Sequence, residues 1–181
     1  MYAKIFIYAI SALALAVFQA GLVSALPSWL GETDLVLTAL VLILGFAGAR
    51  TAYFWALGAG WILDVLSFAP FGANIAGLLL AAVLADFLLS NLFTNRSLYS
   101  FLMLGAIADA CYEFCSYFYL NIALFRWPDI FFDAGFFLQK AYGLGANLVL
   151  IGTSLYLISH FGASLKPVFL KQESLKPPRA L

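Results

Sequence analysis

The sequence predicts an all-α fold: a polytopic membrane helical bundle of six transmembrane helices with both termini in the cytoplasm. Three observations predict it. Hydrophobic residues make up 65% of the 181 and charged residues only 10%, at a mean hydropathy of +1.00. A soluble domain of this length could not hide that much apolar surface. A bilayer core of roughly 30 Å takes about 20 apolar residues per helix, and on that measure the chain divides into six spans within one domain. The charges between the spans also segregate. Lys4, Arg50, Arg96, Lys166, Lys171, Lys176 and Arg179 fall on one side, while Glu32, Asp34, Asp129 and Asp133 fall on the other with Arg126 as its one cation. The positive-inside rule places the basic side in the cytoplasm. A net charge of zero argues against a nucleic-acid partner.

Span 1 covers Ile5 to Leu26, with Ala12, Ala16 and Ala20 in a stripe at i, i+4 and i+8 that lets another helix come close. Gln19 is its strongly polar member and is expected to face protein. Pro27 to Asp34 forms a loop with Trp29 as an interface anchor. Span 2, Leu35 to Ala49, is short and ends at Arg50. Span 3, Ala52 to Ala69, opens on the aromatic belt residues Tyr53, Phe54 and Trp55. Span 4, Asn74 to Phe93, carries a second docking stripe, Gly77, Ala81 and Ala85, and a buried acid, Asp86. Asn95 and Arg96 turn the chain into span 5, Ser97 to Leu120. Trp127-Pro128-Asp129 marks an interfacial segment before span 6, Gly135 to His160. The membrane domain is thus 1–163, and the polar, proline-containing segment 164–181 reads as a flexible cytoplasmic tail.

The most informative stretch is Trp61 to Gly77, WILDVLSFAPFGANIAG. Pro70 cannot continue the first helix and Gly72 permits a sharp reversal, so two apolar runs become a helical hairpin. Asn74 is placed to cap the second helix. Asp64 needs protein groups or water around it to be tolerated, and Ser67, a main-chain N–H near the Pro70 turn or an adjacent helix can supply them.

Leu63-Asp64-x-Leu66-Ser67 followed by Pro70-x-Gly72-x-Asn74, preceded by Gly58 and Gly60, resembles the MreD family of rod-shape-determining membrane proteins. Asp34-Leu35 at the start of span 2 and Arg50 at its end are similar to that family too. Thr33 stands where the family pattern has proline. The specific part of the resemblance runs from Asp34 to Leu84. It implies a non-enzymatic inner-membrane scaffold of the cell-elongation machinery, without cofactors. The implied partners are MreC, the SEDS glycosyltransferase and transpeptidase pair that synthesises peptidoglycan, and through them MreB filaments. Asp64, Ser67, Pro70, Gly72 and Asn74 are the motif residues that the resemblance transfers.

Four acids lie within spans: Asp64, Asp86, Asp109 and Glu113. Asp109 and Glu113 share a helix face, and Lys140 falls at matching depth on the antiparallel neighbour. These three are the candidate buried ion pair. They read either as a structural pair or as part of a proton, cation or carboxylate path. Cys111 and Cys115 are four apart, which suits neither a strain-free disulfide nor a zinc site without further ligands. His160 is the single histidine, with no second one to share a metal, and no serine elbow or phosphate loop occurs in the sequence; a non-enzyme without a metal site is expected. An alternative of a different class is the substrate-binding S-component of an energy-coupling-factor vitamin transporter. Such proteins are similar to this chain in size, span count and the small-residue stripe on span 1. Asp64, Glu113 and Lys140 would then line an outward cavity.

Overall fold

A computed structural model describes residues 2–21, 23, 27, 31–67, 70–93, 97–123 and 134–169. Among these the architecture is all-helical, with no strand: α1 Tyr2–Gly21, α2 Leu35–Ala47, α3 Ala49–Leu66, α4 Ala73–Asn91, α5 Leu98–Ala123 and α6 Ala134–Phe169. Among the described residues, three helices are long and apolar enough to cross a membrane: α4, the Leu98–Tyr119 part of α5 and the Leu138–His160 part of α6. Phe6–Gly21 and Leu35–Ala47 are shorter apolar helices. Large apolar side chains such as Phe6, Phe54, Phe87, Phe114 and Val149 point outward. Water would not tolerate such a surface, but lipid does. The chain is a membrane protein.

The shortest helix, α2, is the hub. It touches all five other helices, and Val36, Leu37, Leu40, Val41 and Leu44 are buried on one broad side of it, while Phe46 on the other side is exposed. An apolar helix without a polar face can meet protein on one side and lipid on the other. Asp34 starts it, accepting the main-chain N–H of Leu37 at 2.9 Å in the N-cap position. Gly48 alone joins α2 to α3, at a φ of 91° that most side chains disfavour. Arg50 therefore belongs to the first turn of α3 and does not close span 2 as the sequence suggests.

Around α2, α1 lies mainly on α3, α3 on α4, α4 on α5 and α5 on α6. The two small-residue stripes serve this internal packing. Ala12 and Ala16 are buried against the chain's own helices, as are Gly77, Ala81 and Ala85, while Ala20 is half-buried. A Cβ on Gly77 would come within 2.8 Å of the Tyr112 ring on α5. Small residues permit close approach, and here the approaching helices belong to the same chain.

The helix α6 runs on to Phe169, past the boundary at 164 drawn from polarity. Trp29, Asn95, Arg96, Arg126, Trp127, Pro128, Asp129, Asp133, Lys171, Lys176 and Arg179 lie outside the described residues, as do the side chains of Lys4 and Lys166.

Candidate functional site

The first cluster is the hairpin of α3 and α4. Asp64, 4% exposed, points from the last turn of α3 at the start of α4. Its Oδ2 accepts the main-chain N–H groups of Gly72 at 3.0 Å and Ile75 at 3.3 Å, and its Oδ1 accepts that of Asn74 at 2.9 Å. These are the otherwise unpaired donors of a helix start. They also form its positive end, so the carboxylate is neutralised by main chain. Gly72 occupies the N-cap position with φ 98° and has no side chain to cap with. The helix is capped from eight residues upstream instead.

That arrangement corrects the expected role of Asn74. Its side chain does not cap α4, because Asp64 already holds the free N–H groups. It reaches sideways: Nδ2 donates to Ser67 Oγ at 3.1 Å, and Oδ1 accepts the Tyr112 hydroxyl of α5 at 2.7 Å. Ser67 thus serves Asn74, and no hydrogen bond joins it to Asp64 among the described residues. Ala73 N–H closes the turn on the Pro70 carbonyl at 3.2 Å, and the Tyr119 hydroxyl donates to the Phe71 carbonyl at 2.9 Å. The five motif residues and two tyrosines of α5 are one hydrogen-bonded unit.

The second cluster joins the α1–α2 connection to α5 and α6. Lys140 Nζ lies 2.6 Å from Glu32 and 2.9 Å from Glu113, and Gln139 Nε2 donates to Glu32 at 2.6 Å. All three charged side chains are part-exposed, between 24% and 34%. Asp109 is not in this ion pair, contrary to the sequence reading. It is buried one turn away and accepts from Asn147 Nδ2 at 2.6 Å. Asn147 Oδ1 in turn accepts the main-chain N–H of Asp34 at 2.7 Å, so one buried amide of α6 ties α5 to the start of α2. Burial pushes the Asp34 carboxyl up to about 7, against the lowering effect of the Leu37 N–H and with Asp109 and Glu113 adding to the rise. Gln19 of α1 completes the junction, donating to the Thr33 carbonyl at 3.1 Å and accepting from Leu35 N–H at 2.7 Å.

Glu32, Gln139 and Asn147 were not singled out by sequence reasoning. Glu32 was visible only as a loop charge, and one amide in an apolar run is a weak sign. At the other end of the hairpin, Asp86 accepts the Tyr53 hydroxyl at 2.7 Å. Cys111 and Cys115 are free thiols, and no group of three metal-ligating residues occurs among the described residues. Chemically, the clusters lock helices together; Lys140 with two carboxylates also offers a part-open charged site. Comparison with protein-family profiles, curated proteins and solved structures returns no match for this chain.

Proposed function

We propose that this chain is an MreD-like inner-membrane scaffold of the bacterial cell-elongation machinery, acting by assembly and not by catalysis. In this reading all six helices are spans and both termini are cytoplasmic. Its partners are MreC and the SEDS glycosyltransferase and transpeptidase pair, which it links to MreB. The observation that carries the reading is the hairpin. Asp64, Ser67, Pro70, Gly72 and Asn74, the residues of the family resemblance, form one bonded unit between α3, α4 and α5. A motif whose members hold helices to each other fits a protein whose output is a fixed membrane surface.

The test is co-isolation. A tagged chain should retain MreC through detergent extraction, and Asp64→Leu should lose it while Asp86→Asn keeps it. Retention of no MreC by the parent chain under conditions where both proteins are abundant would sink the reading.

One observation favours a second reading, the vitamin-transporter S-component. The Glu32, Glu113 and Lys140 side chains are part-exposed beside buried Asp109, as a ligand site would be. In that case a purified chain should bind a vitamin, and Lys140→Met should abolish binding without unfolding the protein.

A further inference from the structure

Hydrogen bonds fix the depth at which α2 begins. Asn147 lies nine residues into the Leu138–His160 part of α6, and Asp109 lies ten residues before the end of the Leu98–Tyr119 part of α5. At a rise of about 1.5 Å per residue, both sit about 14–15 Å inside the apolar stretch of their helix. Asn147 Nδ2 donates to Asp109 at 2.6 Å, and Asn147 Oδ1 accepts the main-chain N–H of Asp34 at 2.7 Å. The start of α2 therefore stands near the middle of α5 and α6 and not at their ends. Glu32, Thr33 and Asp34 lead to that depth without being helical. Such main chain is tolerated inside a membrane only where protein or a water-filled cavity receives it. Here Gln19 and Asn147 do so.

Charge is unevenly distributed around this point. The segment before α2 brings Glu32 and Asp34, α5 brings Asp109, Tyr112 and Glu113, and α6 brings Lys140. From α1 comes the neutral Gln19. Asp64 of α3 is held by the start of α4, and Asp86 of α4 by Tyr53. Among the described residues, four carboxyl groups thus gather around one ammonium. Lys140 is engaged by Glu32 and Glu113, at 2.6 and 2.9 Å. Asp109 has the Asn147 N–H. Asp34, equally buried, has neither: its carboxyl accepts main-chain N–H at the helix start, that of Leu37 at 2.9 Å, and has the acids Asp109 and Glu113 for neighbours. The positive end of α2 favours an anion there. A second buried charge beside Asp109 is what a low dielectric opposes.

We propose that Asp34 holds an exchangeable proton in the closed bundle, and that this proton keeps α6 fastened to the start of α2. With Asp34 neutral, the chain Asp34–Asn147–Asp109 closes around a single negative charge. With Asp34 ionised, two buried carboxylates flank one amide, and water must enter between α2, α5 and α6 to screen them. The helix that gives way is α6, because among the described residues it packs only on α5 and α2. The folded state disfavours the ionised form, so the stabilisation is full in acid and is lost as pH rises. A metal cation is a poorer occupant, since it takes oxygen ligands and these two carboxyls meet N–H donors. The inference rests on neither reading of the function.

The test is difference infrared spectroscopy of the full chain in lipid nanodiscs, titrated from about pH 5 to about pH 9. Hydrogen exchange of α6, corrected for its intrinsic pH dependence, is followed in parallel. A protonated-carboxyl band should disappear across this range, and the main-chain amides of 143–151 should exchange about tenfold faster at the alkaline end. Asp34→Asn mimics the neutral acid and can still cap α2, so it should lack the band and stay slow throughout. Asp109→Asn removes the neighbouring charge, so the band should persist with its midpoint about one unit lower. The proposal is overturned by the absence of a titrating band, by a band that survives in Asp34→Asn, or by parent exchange that ignores pH. A midpoint that moves when sodium replaces choline at equal ionic strength would make a metal cation the ligand, and overturns it too. Should Asp34→Asn fail to fold, Asp109→Asn decides: loss of the band assigns the proton to Asp109, and an unmoved midpoint places it away from Asp109, either of which excludes the proposed latch.

Discussion

Asp64 behaves as part of the main chain. Three N–H groups converge on it, and each would lose its partner in a part-buried site if the carboxylate were removed. Since an unsatisfied buried donor costs about 1–3 kcal/mol, Asp64→Leu should lower stability by about 3 kcal/mol or more. Asp64→Asn keeps one acceptor oxygen and turns an amide toward the remaining donors, so about 1–2 kcal/mol is expected. Thermal unfolding in detergent should rank parent, Asn and Leu in that order. A leucine variant that melts with the parent would remove Asp64 from the centre of the hairpin. Lys140 is a different case, because its partners are part-exposed and solvent screens them. Lys140→Met strands two carboxylates and Glu113→Gln only one partner, so the lysine change should cost more. A double-mutant cycle should show about 0.5–1 kcal/mol of coupling. Zero coupling would mean that Glu32 alone holds the lysine.

The elements differ in how far they could be read from sequence. The hairpin was legible, since Pro70 and Gly72 dictate a reversal wherever they fall between two apolar runs. Its cap was not: Asn74 is the residue type and position that local rules favour, but Asp64, distant in sequence, lies closer to the free N–H groups in space. The stripes Ala12-Ala16 and Gly77-Ala81-Ala85 were legible as close contacts, but their direction was not, because small residues do not encode whose helix approaches. The central place of α2 left no periodic trace, because its less covered side, with Leu35, Ala39, Leu42 and Phe46, is apolar as well. Arg50 looked like a helix end because the single-residue turn at Gly48 depends on a positive φ that no pattern of polarity reveals. The six-span reading makes a prediction at this same scale. Reporter fusions after Gly48, at Arg96 and at the C-terminus should all read cytoplasmic, and one at Asp129 should read external. One inverted reporter breaks the topology.

For the whole molecule, the two polar clusters have a common effect. One fixes α3, α4 and α5, the other fixes α2, α5 and α6 together with the segment that leaves α1. Helices in lipid have little hydrophobic drive to associate, so hydrogen bonds and close packing must hold their order. A bundle tied in this way presents constant outer faces to neighbours, which is what a scaffold requires. A carrier needs helices that can part, and ties spread over five helices oppose that motion. On the proposed scaffold reading, the chain supports cell elongation by holding an assembly together. Cell shape after depletion of the chain in the cells that carry it measures this most directly. The account predicts that rods widen and round up as the protein is lost, that wild-type chain restores them, and that Asp64→Leu does not. Depleted cells that keep their width and length, but lose uptake of a vitamin, would contradict it.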